Sequence, residues 1–485
     1  MKRLSLIALL LGGLTMNSMA KDGYRIQIKF NDLTDSSLFL AHYFAKPLPT
    51  IYKSDSGKLD KKGMVTLTSK EKITGGMYMI MLNDRKTYFE VLLNNGDDFS
   101  ITVNSVQDVS GGNGITFKNS PENTDFIGYE GFVKEMGTRH QKLTEDLAKA
   151  KNSVDSASIK DKMAATLKTM IDYRNDFVKK NPNVMLAKIF KALEVPKVPE
   201  EKHYLADGKE DKDYPYRFYK AHFWDNFDLK DPRMINTPVY DARLEEYFER
   251  LVIPVPDSVI KEADWILGQT RGTGDLFNYT LSWLSNFSQN SKVMGMDKVY
   301  VDLVQKYYMK GDATWISQDL LQKHIEHARE LAPTLIGNIG YDITMQDTAG
   351  KPVTVSKIKS KYKLLVIWDP TCGHCQKEIP LIDSVYKAER LKAKGLKIIG
   401  ICSEVNEKAW KDFIVKHNLS EWTHIHDPER KSNYKSMYNA RTNPTMYMLD
   451  EKGIIRGKGI DHSNLGSLID MLERQEADAK KTSSK

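Results

Sequence analysis

The stretch VIWDPTCGHCQKEIP, Val366 to Pro380, decides how this chain is read. Four apolar residues, Leu364 to Ile367, lead into Trp368, as a buried strand would. Cys372-Gly373-His374-Cys375 follows, and then a helical pattern that carries Pro380 inside it. The spacing predicts a strand, a junction and a helix with both thiols in its first turn. Free backbone N–H groups at a helix start favour a negative sulfur, so Cys372 is expected to have a lowered pKa and to be the exposed nucleophile. His374 adds a donor beside it. Cys375, one turn into the helix, is expected to be more buried and to resolve a mixed disulfide.

Cysteine usage sharpens this reading. The 485 residues hold three cysteines, Cys372, Cys375 and Cys402. A framework of structural disulfides needs more, so the close pair is read as chemical. A structural zinc site needs four ligands, and the chain has no second close pair. Copper delivery by the thiols with a histidine of THIHDP is the weaker alternative. A peroxidase would place a proline seven residues, and a threonine or serine three residues, before its reactive cysteine. Leu365 and Asp369 precede Cys372 at those distances, and Trp368 and Cys372 precede Cys375. Cys402, in the apolar run KIIGICS, is expected to be a buried free thiol. No metal and no cofactor is expected. His324 and His327 share a helix face but have no third ligand nearby, so they are read as solvated.

Around the motif, strand-like and helical segments alternate from YDITMQDTAGKPVTV, a hairpin turning at Ala349-Gly350, to a last helix ending near Leu472. This is an α/β sheet. The tail RQEADAKKTSSK is polar and reads as frayed. Upstream, residues 121–330 read as an α-helical domain, broken at ALEVPKVPEEK and LVIPVPDS. Its aromatic run Tyr216 to Asp228 reads as core packing. Residues 21–120 alternate in YRIQIKF and FSITV, with strand-like MYMIML and YFEVLL between, and predict an antiparallel β-sandwich.

The first twenty residues have a basic start, a short apolar stretch and small residues before Ala20, the pattern of a signal peptide. Removing Lys2 and Arg3 with it lowers the formal charge from +7 to +5. No later segment has the ~18 uncharged apolar residues of a membrane-spanning helix. The expected product is exported, periplasmic and soluble. Acids and lysines are interleaved without a basic block, which gives no support for nucleic-acid binding.

Residues 331–475 resemble the thioredoxin-fold domain of exported thiol–disulfide oxidoreductases, the family that includes the cytochrome-maturation thioredoxins. The resemblance covers roughly a third of the chain and rests on VIWDPTCGHCQKEIP and ARTNPTMYMLDEKGII. It implies that Pro444 is the cis-proline beside the active site, that Asn443 lines the substrate cleft, and that Pro380 kinks the active-site helix. It also implies protein thiol or disulfide substrates and a membrane-bound electron donor; the oligomeric state stays open. Two departures stand out. Val366 occupies the position of thioredoxin's buried proton-accepting Asp, which leaves Asp369 and Glu378 as the nearby acids. Asn443 replaces the Thr, Ile or Val often found before the cis-proline. Trp368 is read as a packing wall. The upstream regions resemble segments of unknown function that precede thioredoxin modules in large exported proteins. The leading expectation is therefore a protein disulfide reductase or isomerase. An envelope binding or scaffold protein with an accessory redox module is the alternative.

Overall fold

The computed structural model describes residues 22–109, 112–404 and 406–483. The expected signal peptide, residues 1–20, lies outside them. The chain divides into two compact units. One ends at Leu251 and takes in Thr270–Leu276; the other comprises Val252–Gln269 and the chain from Phe277 onward. The helical stretch 121–330 is thus shared between them. Periodicity identifies each helix in it but not which core its apolar face joins.

In the first unit, eight strands form two four-stranded sheets: β1 (Tyr24–Phe30), β2 (Ser37–Phe44), β3 (Lys46–Lys58), β4 (Met64–Ser69), β5 (Gly76–Leu82), β6 (Tyr88–Leu93), β7 (Asp98–Val103) and β8 (Ile115–Lys118). The pairing orders are β4-β1-β7-β8 and β3-β2-β5-β6. Ile26, Ile28 and Phe30 of one sheet share a core with Leu40, Ile80 and Val91 of the other. The expectation of purely antiparallel sheets is corrected: β1 and β7 pair in parallel. Between them the chain returns once to the first sheet as β4, antiparallel to β1, and builds the whole second sheet, so β7 reaches the other side of β1 by a long crossover. Alternation marks a strand but not its direction.

Five helices follow: α1 (Pro121–Ala148), α2 (Ser153–Lys180), α3 (Met185–Ala192), α4 (Tyr214–His222) and α5 (Tyr240–Glu246). The buried Asn123 fixes α1 to β6 by accepting from the Leu92 N–H and donating to the Leu92 carbonyl, both at 2.7 Å. Every residue of β5 is buried, because helical elements cover the face turned away from the other sheet. Buried Arg243 donates to the carbonyls of Ala192 and Glu194 at the end of α3 and of Phe223 at the end of α4. Of the aromatic run, Phe223, Trp224 and Phe227 are buried in the core and Tyr216 is exposed.

The second unit holds most of α6 (Pro256–Thr270) and α7 (Asp275–Asn290), then α8 (Asp297–Leu303) and α9 (Gln318–Leu331). Among the described residues no helix is long and apolar enough to cross a membrane. The α/β part comprises β9 (Thr344–Asp347), β10 (Pro352–Thr354), β11 (Tyr362–Trp368), α10 (Gly373–Ala388), β12 (Leu396–Cys402), α11 (Glu407–Lys416), β13 (Thr423–His426), α12 (Tyr434–Met437), β14 (Thr445–Asp450), β15 (Ile455–Lys458) and α13 (Leu465–Ser483). Its seven strands run in the order β10-β9-β13-β12-β11-β14-β15, with β11, β12 and β13 parallel. Apart from Lys363, β11 is apolar because both its faces are covered. Leu364, Val366 and Trp368 pack with α10, α11 and α13. Leu365 and Ile367 pack with the β9–β10 hairpin and with Tyr434 and Tyr438.

The polar tail is helical through Ser483, which corrects its reading as frayed. Glu476 ties it down, accepting from the Tyr362 hydroxyl at 2.5 Å and pairing with Lys361 at 3.1 Å.

Candidate active site

The carboxyl ends of β11 and β12 lie side by side, with Trp368 opposite Cys402. The loop leaving β11 is short and pinned. The Asp369 carboxylate accepts from the Thr371 N–H and hydroxyl, both at 2.7 Å, and the Cys372 N–H donates to the Asp369 carbonyl at 3.2 Å. Cys372 is then the N-cap of α10, with extended backbone. Its carbonyl takes the first helical bond, from the Gln376 N–H at 3.0 Å.

The two thiols differ sharply. Cys375 is fully buried and Cys372 is partly exposed. The Cys375 and His374 backbone N–H groups point at the Cys372 sulfur and hold its pKa below the ordinary thiol value, against a smaller opposing effect of burial. Burial pushes the Cys375 thiol up to about 12, although the Asp369 N–H donates to its sulfur at 3.5 Å. His374 is exposed, and its backbone N–H is the group that reaches the sulfur. Gly373 is exposed in the first turn of α10 with open space on its α-carbon.

Asn443–Pro444 is a cis peptide bond, and the Asn443 carbonyl accepts from the Cys372 thiol at 3.6 Å. The Asn443 side chain donates to the Ser403 hydroxyl at 3.0 Å, and that hydroxyl donates to the Trp368 carbonyl at 3.1 Å. Ser403 escaped the sequence reading. The signal was its place one residue beyond β12, since neighbouring parallel strands end together. Trp368 is fully buried and packs at 4.9 Å, ring to ring, on Phe413, which suits a wall rather than a ligand platform.

Glu378 lies on α10 next to the loop before α13, where His462 donates its backbone N–H to the carboxylate at 2.6 Å and sets its ring Nδ1 2.9 Å away. His462 also went unread. Val366 is buried in the core beneath α10. Cys402 is buried, its thiol pushed up to about 12 by that burial, and lies against the Glu404 carbonyl. His324 is not a free ligand, because its Nδ1 lies 2.8 Å from the Tyr300 hydroxyl. Among the described residues, no three His, Cys, Asp or Glu side chains gather as a metal group would require.

Residues 336–458 match the AhpC/TSA family, and residues 148–332 match a domain of unknown function, DUF5106. The chain is 25% identical over 139 residues to the thiol–disulfide oxidoreductase ResA of Bacillus cereus, covering 29% of this chain and 78% of that protein. It spans 65% of the ResA protein of Bacillus anthracis, at 25% identity over 118 residues. A domain of a possible thiol–disulfide isomerase from Cytophaga hutchinsonii is 30% identical, with 31% of this chain and 99% of that one covered and a TM-score of 0.28. The carboxy-terminal domain is thioredoxin-like and homologous to the ResA thiol–disulfide oxidoreductases. A thioredoxin-like protein from Bacteroides caccae, 16% identical, is also similar, over 57% of this chain and 98% of its own, with a TM-score of 0.45. Within the oxidoreductase domain the peroxidase pattern stays absent, since the buried Leu365 stands where its proline would be.

Proposed function

We propose that the chain is an exported oxidoreductase that exchanges disulfides with protein substrates through Cys372 and Cys375. The observation that carries this reading is the placement of two thiols three positions apart at one helix start, Cys372 partly exposed at the N-cap beside the Asn443 carbonyl and Cys375 buried within the first turn. In the reducing direction the Cys372 thiolate attacks a substrate disulfide. A Cys372–substrate disulfide forms, and one substrate sulfur leaves and takes a proton. Cys375 then gives up its proton and attacks the Cys372 sulfur. This closes the Cys372–Cys375 disulfide and releases the second substrate thiol, so two electrons pass to the substrate. The reverse sequence oxidises a dithiol.

Substrate reaches the sulfur beside Asn443–Pro444. The Asn443 carbonyl at 3.6 Å supports a role for this backbone in pairing with an extended substrate segment. Ser403 holds the Asn443 side chain and so positions that backbone. Proton movement at Cys375 has two neighbouring carboxylates to draw on. Asp369 is engaged by Thr371, and Glu378 by His462.

In the cell the direction is reductive, with electrons supplied by a membrane-bound donor; the Cys-Gly-His-Cys pair makes the couple more oxidising than thioredoxin's. A Cys375→Ser variant tests the reading. It should accumulate mixed disulfides between Cys372 and exported proteins. Absence of captured protein, together with insulin reduction no faster than that of Cys372→Ser, would remove it and favour the scaffold alternative.

A further inference from the structure

A cavity of about 830 Å³ opens in the first unit, where α1 and α3 meet the second sheet. Its walls are largely apolar, with Met77 and Phe89 from the sheet and Phe126, Val133, Leu186 and Phe190 from the helices. Two carboxyl groups stand in this lining, Glu90 of β6 and Glu130 of α1. They hydrogen-bond to each other, and the Tyr43 hydroxyl donates to Glu90. The volume lies in the range of small-molecule sites, and such sites pair apolar walls with a few convergent polar groups.

The pair holds a proton. Burial, and then the neighbouring Glu90 charge, push Glu130 up to about 8, so at neutral pH Glu130 keeps a proton and shares it with Glu90. Tyr43, Tyr88 and Tyr129 remain neutral hydroxyls, their ionisation pushed upward chiefly by burial. Lys86 and Lys134 also belong to the lining. The two carboxyl groups share a proton, and an ammonium brings the same charge with more N–H donors, so a cation can take the proton's place. Aromatic rings such as Phe126, Tyr129 and Phe190 offer faces for that cation.

We propose that this cavity binds a small organic cation: a primary or secondary ammonium on an aliphatic or aromatic body, with its N–H groups accepted by Glu90 and Glu130. On binding, the ammonium takes the place of the shared proton, which leaves to solvent. No bond in the ligand changes. The site is separate from the thiol pair and does not depend on disulfide exchange.

Calorimetric titration of the full chain with 2-phenylethylamine and n-hexylamine, against 2-phenylethanol and n-hexanol, tests this. Both amines stay charged to about pH 10, as a lysine does. Their affinity should therefore rise about five- to tenfold per unit between pH 6 and pH 8 as the pair gives up its proton. Close to one proton should be released per amine at pH 6.5, read from buffers of different ionisation enthalpy. Each alcohol should bind at least tenfold more weakly than its amine. Glu130→Gln should abolish the proton release, and the Glu90→Gln, Glu130→Gln double variant should lose the preference for amine over alcohol. Circular dichroism establishes that each variant is folded. The proposal is overturned if neither amine binds the native protein, if amine and alcohol bind equally, or if the folded double variant keeps the preference.

Discussion

At the scale of single residues, Cys372 and Cys375 show how far a few ångströms of position alter one functional group. Cys372 faces backbone N–H groups at a helix start, and Cys375 faces apolar side chains. Alkylation of the reduced protein should therefore be selective. Iodoacetamide at pH 7 should modify Cys372, half-maximally at a pH below the ~8.5 of an ordinary thiol. Cys375 and Cys402, both pushed up to about 12, should react only after denaturation; mass mapping of the labelled peptides checks this. The residue between the cysteines bears on the poise. A protein disulfide isomerase lies near about −180 mV and thioredoxin, with proline in that turn, near about −270 mV. His374→Pro should lower the potential by tens of millivolts, where ~30 mV is about 1.4 kcal/mol, measured by equilibration with glutathione. Gly400 of β12 is a third sensitive position. A Cβ there would lie 3.0 Å from His424 Nδ1 and 3.1 Å from Trp368 Nε1, both in fully enclosed surroundings. Gly400→Ala should cost about 1–3 kcal/mol, read from the denaturant midpoint. The thiol pair was legible because its signal is local: a spacing, a strand end and a helix start. Ser403 and His462 were not, because their partners Asn443 and Glu378 lie 40 and 84 residues away in the chain.

At the scale of elements, what the sequence reading missed follows from what periodicity measures. It found β1, β5, β6 and β7, whose buried positions alternate or run together. It passed over β3, where no residue is buried and two prolines interrupt the run. It ended α13 near Leu472 because the apolar pattern ends there, whereas the helix is held further on by polar contacts. That difference has a consequence for truncation. Removing residues 473–485 should leave the Tyr362 hydroxyl without Glu476 and Lys361 without its acids, at a cost of about 1–2 kcal/mol in chemical denaturation. Arg243 makes the same point inside the first unit. Charged residues are seldom read as core, yet this one completes three carbonyls at the ends of α3 and α4. Arg243→Met should cost about 3 kcal/mol by leaving those carbonyls unsatisfied, seen as a lowered thermal midpoint.

At the scale of the whole molecule, the oxidoreductase domain does not end where its sequence resemblance does. Lys458 at the end of β15 pairs with Asp297 of α8 and donates to the Thr334 carbonyl at 3.2 Å, and Arg441 pairs with Glu330 of α9. Met294 packs on the core beneath α10. A fragment of residues 336–485 should fold, but should melt about 3–6 °C below a fragment of residues 252–485, a difference of about 1–2 kcal/mol by differential scanning calorimetry. The second sheet of the first unit raises a different matter. β3 is its outermost strand, thirteen residues long, and an open strand of that length is a template on which another chain can stack. Here it carries Pro47 and Pro49, lysines at 46, 53 and 58, and two breaks in its register with β2. Each of these spoils the regular row of donors and acceptors that stacking requires. The same irregularities that hid β3 from pattern reading therefore guard the protein against fibre-like self-association when it is crowded or freshly folded.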